Sequence, residues 1–194
     1  MKDVIELYHG TTHSSYELIK ADGINVRINF KESAELDFGY GFYLSKYKWY
    51  AKQIAISKIT PTGDDDSDYP VVVVCRVKIK ELLDSLPNDD KLIFRIKNLR
   101  FLSTVFNARY CRAGVDTIGK KYVYGPVADG NVEEVMPFYK KHESRSAVPT
   151  TKDIILKAYC YMRYLMPVFT KQHVIKDEEL CKYIEVSEEP IRRC

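Results

Sequence analysis

A chain of 194 residues, 45% hydrophobic and 29% charged, has the profile of a soluble globular protein with room for one sizeable core. No Gly/Ser/Pro-rich linker divides it, so a single domain over residues 1–194 is expected, and a net charge of +3 is too mild to impose a nucleic-acid partner. No apolar run reaches the roughly 18 residues of a membrane span, no apolar leader follows Met1, and the five cysteines lack any C-x-x-C pair; a cytoplasmic protein with reduced thiols, off the membrane, is the expectation.

In chain order, Val4–Tyr8 reads as a strand ending at His9. Thr11 or Thr12 can cap a helix over Ser14–Lys20 that stops near Gly23. Asn25–Leu36 is a polar loop, and Gly41–Leu44 a short aromatic strand. Lys46–Lys58 has helical spacing, with Tyr47, Tyr50, Ala51, Ile54 and Ala55 on one face. Pro61, Gly63 and Asp64-Asp65-Asp66 mark Thr60–Pro70 as a solvated loop; the spacing is not that of a calcium loop. Val71–Val77 is the clearest strand, and its valine run on both faces predicts a central position. Leu92–Ile96 is a weaker strand, and Asn98–Tyr110 a helix with Leu99, Leu102, Val105 and Phe106 inward. Tyr122–Pro126 is a strand ended by Gly-Pro. Helices are predicted over Asn131–Lys140 and Lys152–Leu165, around a loop at His142–Thr150. Gln172–Ile175 is a late strand, Asp177 caps a short helix, and Tyr183–Val186 is a last strand. Strands and helices alternate without a regular βαβ repeat, which predicts an α+β fold with a mainly antiparallel or split sheet.

The common cofactor signatures are missing. Gly39-Tyr40-Gly41 lacks the third glycine of a dinucleotide turn, and there is no G-x-x-x-x-G-K-[ST] and no G-x-S-x-G. His9 and His13 are four apart, but a strand turns into a helix between them and no third ligand is near, so no metal site is expected. What remains is Tyr8-His9-Gly10-Thr11 and the segment Asp37-Phe38-Gly39-Tyr40-Gly41-Phe42-Tyr43-Leu44-Ser45. Histidine beside glycine, and aromatics between glycines, suggest a cleft that grips a flat polar ring through backbone groups and aromatic faces. Each residue alone reads as ordinary core; their order carries the signal.

In that order the motifs resemble the ADP-ribosyltransferase superfamily, in its diphtheria-toxin and poly(ADP-ribose) polymerase-like branch, and most of all small bacterial toxin-like domains of that type. The resemblance continues through Asn107-Ala108-Arg109, Tyr124-Gly125-Pro126-Val127-Ala128-Asp129 and the strand around Gln172, from residue 7 to about residue 186. It implies an ADP-ribosyltransferase-like split, mainly antiparallel sheet with flanking helices. It also implies a mono-ADP-ribosyltransferase that uses NAD as co-substrate, without metal, and passes ADP-ribose to a protein, RNA or DNA acceptor. His9, Tyr43 and Gln172 match the catalytic positions; His9, Gly10, Thr11, Tyr40, Tyr43 and Tyr50 would bind NAD, with His9 on an adenosine-ribose hydroxyl, Gly10 on the carboxamide and Tyr43 on the nicotinamide ring. Domains that look like this act as toxins in toxin–antitoxin or phage-defence systems, so the resemblance also implies an antitoxin partner.

Two departures matter. Gln172 stands where relatives carry a glutamate; it can hydrogen-bond a ribose hydroxyl but lacks a carboxylate's field, and Glu178 or Glu179 could substitute. Ile54 stands where relatives place an aromatic, so Tyr50 or Tyr40 would supply the second ring face. A non-catalytic NAD- or ADP-ribose-binding module and an RNA 2′-phosphotransferase are the alternatives. Arg95, Lys97, Arg100, Arg109, Arg112, Lys120 and Lys121, with Tyr110 and Tyr122, could form a nucleic-acid groove or a solvated face.

Overall fold

The computed structural model describes residues 3–28, 36–59, 68–110, 116, 118–128 and 170–190. The segments expected as helices at 131–140 and 152–165, and the loop at 142–150, lie outside them. Among the described residues seven strands form one sheet in the order β4-β5-β6-β2-β1-β3-β7. They are β1 Ile5–Thr12, β2 Phe42–Ser45, β3 Pro70–Val77, β4 Lys91–Ile93, β5 Tyr122–Pro126, β6 Lys171–Ile175 and β7 Ile184–Pro190. Among the described residues four helices flank it: α1 His13–Asp22, α2 Lys48–Ser57, α3 Ile79–Asp84 and α4 Leu99–Tyr110. All pairings are antiparallel except β4 with β5. The α+β expectation therefore holds.

The valine run of β3 lies between β1 and β7, pairing with β1 from Ile5↔Val77 to Thr12↔Pro70. Val71, Val72, Val73, Cys75 and Val77 are all buried, and each valine contributes about 1.5–3 kcal/mol of burial. Period-2 alternation divides the core between the two sheet faces. On β5 and β6, Val123 and Val174 join Phe38, Phe94, Phe101, Leu102 and Val105, whereas Tyr122 and Ile175 join Leu7, Phe42, Leu44, Val73 and Leu82. Leu102 and Val105 are inward on α4 as the periodicity predicts; the side chains of Leu99 and Phe106 lie outside the description.

Several boundaries differ from the sequence reading, and one short helix was not foreseen. β1 does not end at His9 but continues to Thr12, because pairing with β3 through His9↔Val73 and Gly10↔Val72 holds it extended. Thr12 then caps α1, its Oγ1 accepting from the Ser15 amide at 3.4 Å. The six-residue α3 escapes periodicity; Ile79 and Leu82 bury its inner side directly after β3. The short helix expected after Asp177 is present as a 3-10 helix, Glu178–Tyr183, and Asp177 caps it by accepting from the Glu179 amide at 3.0 Å.

The register between β1 and β2 positions the site. These strands meet at a single pair, Tyr8↔Ser45, while β2 and β6 pair from Phe42↔Ile175 to Ser45↔Gln172. Beyond Tyr8 the two central strands are not paired. Gly125↔Gln172 completes one row across the sheet, from Tyr8 through Ser45 and Gln172 to Gly125.

Candidate functional site

A pocket of about 170 Å³ opens where β1 and β2 part. It is lined by Tyr8, His9 and Gly10 of β1, by Asp37, Gly41, Tyr43 and Ser45 around β2, by Tyr50, Ile54 and Lys58 from α2 and beyond, by Arg109 of α4 and by Gln172 of β6. A cavity of about 150 Å³ accommodates one benzene-sized ring, so this one has room for a single six-membered ring. His9, Tyr43 and Gln172, far apart in the chain, share its wall.

The histidine is held neutral. His9 Nδ1 lies 2.8 Å from the Tyr43 carbonyl oxygen, and its ring stacks on Phe42 at 4.4 Å between centroids. A carbonyl only accepts, so Nδ1 carries the proton and Nε2 keeps its lone pair. Burial, reinforced by the Lys58 ammonium, lowers the His9 pKa to about 3, against the opposing pull of the Tyr43 carbonyl. His9 is thus a hydrogen-bond acceptor at neutral pH.

Gly10 is where helix and strand meet. A Cβ there would run into the Ala51 carbonyl oxygen and lie 2.8 Å from the Ala55 amide nitrogen, so only glycine lets α2 cross β1 this closely. The small residues Ala51 and Ala55 supply the matching face of α2. Lys58 reaches back to donate to the Gly10 carbonyl at 2.9 Å, and burial of its ammonium lowers its pKa.

Tyr43 is locked by the turn before it. Its hydroxyl donates to the Gly39 carbonyl at 2.7 Å and accepts from the Phe38 amide at 3.0 Å. Burial foremost, then the Asp37 charge, holds that hydroxyl well above its usual pKa, so it stays protonated. Two glycines make the turn: Gly39 at φ 71° and Gly41 at φ 148°, the latter packed so that a Cβ would meet Val174 Cγ1 at 2.6 Å.

The residue that sequence reasoning passed over is Asp37. Its carboxylate is buried at 5% exposure and receives four donor atoms. Oδ1 accepts from Arg109 Nε at 3.1 Å and pairs closely with Arg109 Nη2; Oδ2 accepts from the Ala128 amide at 2.7 Å and from Gln172 Nε2 at 2.7 Å. The three donor residues come from three motifs: Asn107-Ala108-Arg109, Gly125-Pro126-Val127-Ala128, and the strand around Gln172. The signal was present as three unexplained segments, but nothing local says that a carboxylate 72 to 135 residues away joins them.

Other expected site residues fall elsewhere. Thr11 is buried in β1 outside the pocket lining. Tyr40 is buried at 8% and lines a separate polar cleft with Arg27, Asp116, Lys121 and Lys176. Its hydroxyl donates to Asp116 Oδ2 at 3.3 Å, and Lys176 Nζ stands 4.3 Å above its ring. Glu178 and Glu179 line that cleft too, not the pocket. Of the two candidate second aromatics, Tyr50 is the one beside the pocket, next to Ile54. The basic middle segment does not act as one face. Arg109 turns inward to Asp37, Lys121 pairs with Asp90 and Asp177, and Tyr122 is 2% exposed with its hydroxyl 2.7 Å from His173 Nδ1, which removes it as a stacking platform. Arg112 lies outside the described residues.

The family described as "Protein of unknown function (DUF3990)" matches residues 5–185. The chain belongs to that family. No curated protein and no solved structure matches it. The DUF3990 span runs from the start of β1 into β7, so it takes in every pocket residue named above. Among the described residues no helix is long and apolar enough to cross a membrane, and no group of three or more His, Cys, Asp or Glu side chains could hold a metal ion.

Proposed function

We propose that this protein is a mono-ADP-ribosyltransferase that cleaves NAD at the nicotinamide–ribose bond and passes ADP-ribose to a macromolecular acceptor. The reading rests on one observation above the rest: His9, Gly10, Tyr43 and Gln172 line one ring-sized pocket at the parting of β1 and β2. The parting of the sheet beyond Tyr8↔Ser45 supports the same fold assignment.

The chemistry asks for a site that binds a cationic ring, stabilises positive charge on the ribose as the ring leaves, and keeps water out. The C1′–N bond breaks and its electron pair goes to the pyridine nitrogen, so nicotinamide departs neutral. C1′ takes on oxocarbenium character, and a lone pair of the acceptor forms the new bond while the acceptor's proton passes to solvent. His9 Nε2 accepts from a ribose hydroxyl. The Gly10 backbone takes the carboxamide, and the Tyr43 ring faces the nicotinamide, with Tyr50 as the second aromatic wall. Gln172 Oε1 accepts from a hydroxyl of the reacting ribose.

A second reading keeps the site and removes the turnover: a module that grips NAD or ADP-ribose. The neutral Gln172 is what favours it. One experiment separates the two. The protein is incubated with NAD labelled in its adenylate half, together with separate protein, RNA and DNA pools. The expected result is nicotinamide release with label transferred to one pool, lost in His9→Ala and in Gln172→Ala. Labelling that survives both substitutions rejects the assignment; saturable binding without nicotinamide release selects the module.

A further inference from the structure

The geometry points to Asp37 as a positioning residue that fixes the Gln172 amide with its NH₂ group toward the carboxylate and its oxygen toward the pocket. This inference rests on the NAD-site reading above.

The orientation of the amide follows from its neighbour. Asp37 Oδ2 lies 2.7 Å from Gln172 Nε2, and a carboxylate oxygen can only accept, so the NH₂ group must face Asp37 and Oε1 is left for the pocket. Oδ2 also holds the Ala128 amide, and Oδ1 holds Arg109, so the carboxylate cannot turn away. Gln172 itself is fixed in the sheet between Ser45 and Gly125 and is 5% exposed. A donor bonded to a carboxylate in a buried setting is polarised, which increases the negative character of the carbonyl at the other end of the amide. The Asp37 carboxylate stands beside Gln172 in the pocket wall, itself paired with Arg109.

The same geometry explains why an amide occupies position 172. A glutamate there would set two carboxylates 2.7 Å apart, and like charges at that distance cannot both stay ionised. Glutamine complements Asp37, and glutamate would need a donor in its place.

Three variants and one spectrum test this. Asp37→Asn is expected to leave NAD affinity within about threefold while nicotinamide release falls about 10- to 100-fold, the range for removing a group that orients a working side chain. Gln172→Glu is expected to lose release to a similar extent. Asp37→Asn combined with Gln172→Glu is expected to recover release at least about tenfold over Gln172→Glu, because an amide at position 37 can donate to the new carboxylate. Wild-type turnover in Asp37→Asn, or a double variant no better than Gln172→Glu, overturns the inference. Side-chain amide NMR of the wild type guards against variants that fail to fold. One Gln172 NH₂ proton strongly downfield and slow to exchange with water is expected, and an NH₂ pair at ordinary solvent-exposed shifts with fast water exchange overturns the inference whatever the protein does with NAD. Failure of the wild type to bind NAD would reject the proposed reaction and leave the NMR result to decide the amide lock on its own.

Discussion

Gly10 has no room for a side chain, because α2 crosses it with the backbone of Ala51 and Ala55 where a Cβ would stand. Gly10→Ala is therefore expected to cost about 3 kcal/mol or more, seen as a thermal midpoint lowered by roughly 6–12 °C, since the obstacle is backbone rather than a side chain that can swing aside. An unchanged midpoint would mean that α2 can slide over β1. The glycine of the His-Gly pair was legible in the sequence as a close backbone approach, but the approaching partner was not: it is a helix far downstream, matched only by the small residues Ala51 and Ala55. Asp37 shows the limit more sharply. It opened the aromatic-glycine segment in plain view, yet its role depends on Arg109, Ala128 and Gln172, three donors brought in by tertiary structure. Tyr40 was misplaced for the opposite reason: in the Gly39-Tyr40-Gly41 turn its neighbour Tyr43 faces the pocket, while Tyr40 folds away beneath Lys176.

Among the elements, α2 does most to shape the pocket. Ala51 and Ala55 bury against β1, Tyr50 and Ile54 form the wall, and Lys58 just past the helix end returns to the Gly10 carbonyl. Periodicity identified this face correctly, because a helix against a sheet keeps its 3.6-residue stripe. Periodicity failed at α3, where six residues are too few to display a stripe. Lys58 places an ammonium where a cationic ring would bind and occupies the carbonyl of the residue assigned to the carboxamide. Lys58→Met is accordingly expected to tighten NAD binding about threefold, the scale of removing one partly exposed like charge. The chain supplies its own reporter: Trp49 is the one tryptophan, half exposed, with its ring 5.8 Å from that of Tyr50. An NAD titration followed by Trp49 emission gives the affinity, and weaker binding in Lys58→Met would assign Lys58 to holding the ligand instead.

For the molecule as a whole, two part-buried histidines couple stability to pH. Burial lowers His173 to about 4 and, with the Lys58 charge, His9 to about 3, from 6.5 in the unfolded chain. Between about pH 6.5 and pH 4 the unfolded state binds protons that the native state refuses, so stability falls as pH falls, by up to about 1.4 kcal/mol per pH unit for each histidine. Urea midpoints measured at pH 7 and pH 5 are expected to drop in the wild type and to drop less in His173→Gln; equal drops would show that His173 does not titrate across this window. The sheet that holds these groups was legible as α+β from the mixture of strand and helix signals, and its valine strand was identified from its apolar run, although it lies beside the edge strand β7 rather than at the centre. The join between its halves was not, because a single residue pair, Tyr8↔Ser45, leaves no mark in the pattern of either strand. That join opens the pocket, and the claim that NAD occupies it is best tested by backbone amide NMR during an NAD titration. The largest saturable shifts are expected at Gly10, Tyr43 and Gln172; absence of shifts at millimolar NAD, or largest shifts around Tyr40, Asp116 and Lys176, would contradict it.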